Sequence, residues 1–346
     1  MPTSSFDTFF ACTIIVAVAL ISMAFLSSTI QTRIASTQDI NKDSYLKAIA
    51  DHILTNPGSP ADWGTKNASP VDFGLAKSNS NNAYELDIDK ISRLNSLNNF
   101  SISYPELSNA AKLDIALGIK VSQLMTVNVL QSSNSTTGSN TIFTFQVSTN
   151  IDSKPTSANL HCYVAADAYL TAINASIPDT GVGQVTLQIP TAETDNALLV
   201  TFARSSIDDR ITSYAIYNFA DSAQESTPSS TELDLSPLDY TLSLNDSVPG
   251  LTVQNVIVFS YAYEQNLPLI GESQTSIPKL LDKSPIILVV AGLNGTNHFQ
   301  EWTTYPQVPL KAGANFGGSE QNVFSYLVTV NGVLYRLDLS LGDLPQ

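Results

Sequence analysis

The sequence predicts a mainly β protein carried on an N-terminal transmembrane and stalk α-helix, with a small α+β head followed by two β-sandwich domains of immunoglobulin-like type. Three observations predict it. Phe9 to Leu26 is a run of eighteen residues without charge, Gly or Pro. No Pro or Gly falls between Pro2 and Pro57. From Thr141 onward, short alternating runs separated by turn residues replace the helical spacing.

The apolar run is long enough to cross a hydrocarbon core of roughly 30 Å as a helix. A cleaved signal peptide would need a basic segment before a shorter apolar run, and no Lys or Arg precedes this one. The breaker-free stretch extends beyond the span. Tyr45, Leu46, Ile49, Ala50, Ile53 and Leu54 recur at three- and four-residue steps, so this half is amphipathic. Asn56-Pro57-Gly58 stops the helix. One half therefore belongs in lipid and the other on a folded head.

Turn residues dominate to Asn82. Tyr84 to Leu97 alternates and then turns helical, Pro105 to Leu117 reads as a helix ended by Gly118, and Ile119 to Leu130 as a strand. Beyond Thr141 the expected strands are 142–148, 158–164, 183–189, 197–203 and 211–219. In the last part, Val253 to Tyr263 and Ile286 to Ala291 read as strands. Asn331-Gly332 lies between two β runs, which is a hairpin signal that fixes register. It pairs Val330 with Val333, Val328 with Tyr335, Tyr326 with Leu337 and Phe324 with Leu339, all on one apolar face. The expected divisions are 1–32 for the anchoring segment, 33–138 for stalk and head, 139–221 for one sandwich, 222–232 for a linker and 233–346 for the other.

An apolar N-terminal helix with Asp7 just ahead of it, carrying a β-rich head, resembles the archaeal type IV pilin-like surface proteins. The resemblance covers about residues 5 to 60. It implies assembly through the helix with other pilin-like subunits, with Asp7 as the acid that registers one subunit on the next. The family's short basic leader is not matched by Met1 to Phe6.

Charge narrows the partners. The chain carries 16 basic and 31 acidic residues, for a formal net charge of -15. A surface this acidic repels nucleic acid. The few basic residues nearest the span, Arg33, Lys42 and Lys47, follow it and favour an inside head. Interspersed Asp39, Asp43 and Asp51 weaken that bias, and the architecture places the bulk of the chain outside the cell membrane. Candidate glycosylation acceptors stand at Asn67, Asn99, Asn134, Asn174, Asn245 and Asn294. A chain so rich in Asn, Ser and Thr carries such tripeptides by chance, so they are compatible with an exterior and do not argue for it.

Catalysis finds no support. His52, His161 and His298 are scattered, and adjacent strand residues such as His161 and Cys162 face opposite ways. No metal motif or nucleotide loop occurs, and no cofactor is implied. Cys12 in the span and Cys162 in a strand cannot bridge. Asp87 with Asp89, and Asp208 with Asp209, read as solvated edges and turns before they read as calcium ligands. Late aromatics mostly fill a core. The segment Glu301 to Pro306, with Trp302 and Tyr305, is the stretch expected to be exposed as a surface for a glycan or protein ligand. The sequence thus points to a membrane-anchored extracellular protein that assembles in a pilus-like filament, or else to a single-pass envelope binding protein that does not assemble.

Overall fold

The computed structural model describes residues 16, 18, 20–23, 25–27, 42–112, 115–166, 169–193, 197–218, 233–244, 251–271, 273–278, 282–295, 297–316 and 321–342. It divides into two units, Met1–Asp51 and His52–Gln346. Strands dominate it, as expected.

In the first unit the described residues among 16–27 and those of 42–51 are helical, and the stretch from 42 runs on to 55 in the second unit. Among the described residues no helix is long and apolar enough to cross a membrane. The second stretch ends where the sequence requires: Asn56 donates its N–H to the His52 carbonyl at 2.8 Å, and Gly58 turns the chain with a φ of 77°. The expected apolar stripe holds in part. Leu46, Ala50, Ile53 and Leu54 are buried, whereas Tyr45 stays exposed.

The second unit begins with a loop-rich cap. The segment after Pro57 has little regular structure, so its carbonyls need donors. Two buried cations from one turn supply them. Lys90 Nζ donates to the carbonyls of Pro57 at 2.9 Å and Ala76 at 2.7 Å. Arg93 donates to Trp63 at 2.8 Å, Ala68 at 3.1 Å and Phe100 at 2.9 Å. Both stand on or just after the short helix Ile88–Ser92. The next helix runs Tyr104–Ala111, started by a capping box of Ser103 and Glu106. It stops six residues before Leu117, because Lys112 turns left-handed with a φ of 52°. Gly118, expected as the terminator, lies inside the strand Ala116–Gln123.

That strand belongs to a five-stranded sheet, in the order Glu85–Leu86, Gln321–Val330, Val333–Gly342, Ala116–Gln123 and Leu310–Gly313. The C-terminal hairpin has the register read from the sequence, Val330 on Val333 through Phe324 on Leu339. Asn331 and Gly332 both adopt positive φ, as the tight turn demands. Val328, Val330, Val333, Tyr335, Leu337 and Leu339 are buried, and Ser325 and Leu327 on the other face are exposed.

Between the first and last strands of this sheet, the chain builds two pairs of sheets. In the first pair, Met125–Thr137, Asn140–Ile151, Lys154–Pro155 and Val182–Pro190 form one sheet. Thr212–Asn218, Leu198–Ser205, Ala158–Ala165 and Leu170–Ile177 form the facing one. Phe143, Phe145, Val147 and Leu187 meet Leu160, Cys162, Val164 and Leu199 between them. In the second pair, Tyr263–Leu267, Leu251–Ser260, Ile286–Asn294 and Asn297–Tyr305 face a smaller sheet built around Leu233–Ser236 and Thr241–Leu244. Leu235, Leu242, Val256, Val258 and Leu288 fill that core.

The two pairs also pack on each other. Tyr163, Val200, Phe202 and Tyr214 from the first meet Ile257, Phe259, Val289 and Trp302 from the second. Both inner sheets are therefore covered on both faces. This is why Ile286 to Ala291 is a continuous apolar run and not an alternating one.

The sheets cross the expected divisions. A boundary at 138 cuts the hairpin of Met125–Thr137 with Asn140–Ile151. One at 232 separates the C-terminal hairpin from Ala116–Gln123, to which Val333–Gly342 is hydrogen-bonded along its length. Strand pairing between residues two hundred positions apart leaves no local mark, so the divisions followed composition instead. The linker 222–232 lies outside the described residues. Leu170–Ile177 was not expected as a strand, because its Ala and Asn positions weaken the alternation.

Candidate functional site

The first candidate surface is the N-terminal helix. Val16, Val18, Leu20, Ile21, Met23, Phe25 and Leu26 are between 57% and 73% exposed. Seven large apolar side chains within eleven positions spread around a helix at 100° per residue, so the described residues leave no broad polar face, with Ser22 the polar one among them. Exposed apolar surface of this extent calls for a cover. Asp7, which the pilin resemblance marks for assembly, lies outside the described residues.

The expected ligand surface around Trp302 and Tyr305 is corrected: these residues are 5% and 2% exposed. They lie on the strand Asn297–Tyr305 and are consumed by internal packing. Trp302 sits in the interface between the two pairs of sheets, edge-on to Tyr214 with ring centroids 6.5 Å apart. Tyr305 donates its hydroxyl to the buried Asp89 carboxylate, and Tyr240 donates to the same carboxylate at 2.9 Å. Burial raises the pKa of Asp89, and the two phenols offset part of that rise. Asp87 does not share a strand face with Asp89. It caps the helix Ile88–Ser92, its carboxylate accepting the Asp89 N–H at 3.0 Å. Both acids are thus structural. Among the described residues no cluster of His, Cys, Asp and Glu could hold a metal ion.

The same seam continues with side-chain amides. Asn98 Nδ2 donates to Gln307 Oε1 at 2.6 Å, and Asn99 Nδ2 to Asp234 Oδ2 at 2.7 Å. No feature of the sequence announces these partners, which lie 209 and 135 positions apart.

Cys162 and His161 do turn to opposite faces. The thiol lies in the core of the first pair, where burial pushes its pKa up to about 12. His161 stacks on Tyr163 with centroids 4.7 Å apart, and burial lowers its pKa. A protonated thiol and a stacked imidazole make no nucleophile pair. Asp208 forms the expected turn, holding Arg210 NH2 at 2.7 Å. Of the candidate acceptors, Asn67, Asn99, Asn134 and Asn174 are exposed. Asn99 already spends its amide on Asp234. Asn245 lies outside the described residues, and Asn294 ends its strand.

No protein-family model and no curated protein matches the chain. Among solved structures, HBP35 of Porphyromonas gingivalis is similar at 13% identity over 52% of this chain, with a TM-score of 0.19. The match spans 63% of that chain's length. A likeness so weak carries no argument about fold or function.

Proposed function

We propose that the chain is a membrane-anchored extracellular surface protein whose N-terminal helix is buried in the bilayer and, on assembly, against the helices of other pilin-like subunits. The observation that carries this reading is the ring of exposed apolar side chains from Val16 to Leu26. Water is a poor solvent for such a helix, and lipid or a bundle of like helices covers it without asking for a polar face. In this reading Asp7 registers neighbouring subunits. The cap and the two pairs of sheets are then a small α+β head with β-sandwich modules of immunoglobulin-like type, presented outside the cell for adhesion or assembly. Exposed Asn67, Asn134 and Asn174 suit a glycosylated exterior.

A cleft of about 700 Å³ beside Phe316 favours a second reading, a single-pass envelope protein that binds a ligand without assembling. Protease added to intact cells is expected to release a soluble fragment beginning near residue 56. Asp7→Ala is expected to deplete the chain from surface filaments without changing that release. Protection of the head from protease would reverse the orientation. Undiminished incorporation of the variant, or the absence of any filament, would leave only the binding reading.

A further inference from the structure

The short strand Glu85–Leu86, at one edge of the five-stranded sheet, reaches only Thr329 and Val330 of its neighbour Gln321–Val330. Among the described residues, none pairs with 321–327 on that side. One bond fixes the direction of the backbone groups there: the Thr329 N–H donates outward to the Tyr84 carbonyl at 3.0 Å. In an antiparallel ladder the N–H and C=O of alternate residues point the same way, so Val323, Ser325 and Leu327 also present theirs outward. The side chains of these three residues lie on the exposed face, Val323 with 53% and Leu327 with 56% of its surface in solvent.

Natural sheet edges are blunted by a charge, a proline, a bulge or shortness. This edge carries none of those devices. Gln321–Val330 is ten residues long, holds no charged residue, Pro or Gly, and pairs with Val333–Gly342 without a shift of register. Its sequence is also close to self-complementary about Ser325. A second copy laid antiparallel, Ser325 on Ser325, sets Val323 on Leu327 twice and Phe324 on Tyr326 twice. That register brings outward-pointing residues opposite outward-pointing residues, so the N–H and C=O groups at 323, 325 and 327 of the two copies meet. Registers shifted by two residues set Leu327 or Val323 on Ser325 instead. Charge agrees with this choice of partner. Each copy has a net charge of -15, which opposes association wherever acids cluster and least along an uncharged strand. Nothing on the strand selects an acidic or basic peptide, whereas the chain's own strand matches it residue for residue.

We infer that this edge pairs with the same edge of a second copy, joining two five-stranded sheets into one continuous sheet about a two-fold axis at Ser325. Glu85–Leu86 occupies the ladder from Thr329 onward, which limits the pairing to 323–327. So short a seam is small beside the roughly 1,200–2,000 Å² buried in stable interfaces, so the dimer is weak and reversible. The inference goes beyond the surface-protein reading. It needs neither the N-terminal helix in lipid nor a filament, and either can fail without the other.

The test is disulfide trapping of the full chain in detergent, with Cys12→Ser in every variant so that the buried Cys162 is the native thiol left. Opposed residues of a hydrogen-bonded pair have Cα atoms about 5.5 Å apart, within the roughly 4.4–6.8 Å that a disulfide spans. Ser325→Cys is expected to give a covalent dimer on mild oxidation. Val323→Cys and Leu327→Cys are expected to cross-link when mixed, at least about tenfold more than either does alone, because each lies four positions, about 13 Å, along the strand from its own counterpart. Leu327→Lys or Val323→Lys, added to Ser325→Cys, is expected to cut the dimer about tenfold or more, since a lysine blunts an edge. Both positions are exposed, an unchanged urea midpoint reports that the fold is kept, and either lysine variant serves if the other does not fold. No dimer from Ser325→Cys, or a yield indifferent to the lysines, would overturn the pairing. Association through the N-terminal helix alone would leave the single variants and their mixture cross-linking alike, and would overturn it too.

Discussion

Leu337→Ala tests the central sheet most directly. Leu337 is fully buried, paired with Tyr326 on one side and Val121 on the other. The substitution deletes three carbons, about 2.4 kcal/mol at about 0.8 kcal/mol per buried carbon. A site walled by two neighbouring strands cannot collapse, so a cavity contribution adds to it and brings the loss to about 3–5 kcal/mol. Ser325, on the exposed face, offers the control: its hydroxyl donates to Asp338 at 2.7 Å, an exposed bond. Ser325→Ala should cost no more than about 1 kcal/mol. The assay is urea unfolding of the full chain, with hydrogen exchange on the amides of Ala116–Gln123 and Val333–Gly342. Leu337→Ala should lower the midpoint and speed exchange in both strands together, because they are neighbours in one sheet. If Ser325→Ala proves as damaging, the faces are assigned wrongly. If exchange accelerates only in the hairpin, the pairing with Ala116–Gln123 is refuted.

Two further outcomes follow from the buried charges. Asp89, packed with Tyr240, Tyr305, Asp87 and Lys90, has a raised pKa in the folded state, so in that state it holds its proton to higher pH than when unfolded. Stability should therefore fall as pH rises from about 4 through that window, and Asp89→Asn should abolish this component of the pH dependence; parallel urea midpoints against pH for the two proteins would refute it. Arg93→Lys keeps the charge but cannot reach the carbonyls of Trp63, Ala68 and Phe100 together. It should cost about 2–4 kcal/mol and open the 57–76 loop to limited proteolysis, and unchanged cleavage would show that the clamp is dispensable.

Much of the β structure was legible in the sequence for local reasons. The hairpin was readable because Asn331-Gly332 fixes the turn and a period of two then fixes every pair. Of the two doubly covered sheets, the one holding Ile286 to Ala291 was visible as an apolar run without alternation. Three errors had different causes, one of long range and two of local geometry. Trp302 and Tyr305 lie on a strand whose two faces are closed by elements far away in the chain, so an aromatic pair in a polar stretch looked exposed. Asp87 and Asp89 have strand-like spacing, yet Asp87 caps a helix of five residues, too short to show a period. The helix after Ser103 ends at a left-handed lysine and not at the nearby glycine. The cleft beside Phe316 was invisible because its lining comes from residues between 94 and 120 and between 311 and 340, which meet only once the sheet is assembled.

The pairing of Ala116–Gln123 with Val333–Gly342 also decides how the second unit would carry mechanical load. Tension applied between His52 and Gly342 runs through the cap, enters the five-stranded sheet at Ala116–Gln123 and leaves by its hydrogen-bonded neighbour. The two pairs of sheets join that route through side chains of the cap, Asp89 with Tyr240 and Tyr305, and Asn99 with Asp234. Because Ala116 lies opposite Gly342 and Gln123 opposite Tyr335, that tension enters and leaves at the same end of an antiparallel pair, so it opens the pair one hydrogen bond at a time from Ala116 and Gly342 inward and does not shear it.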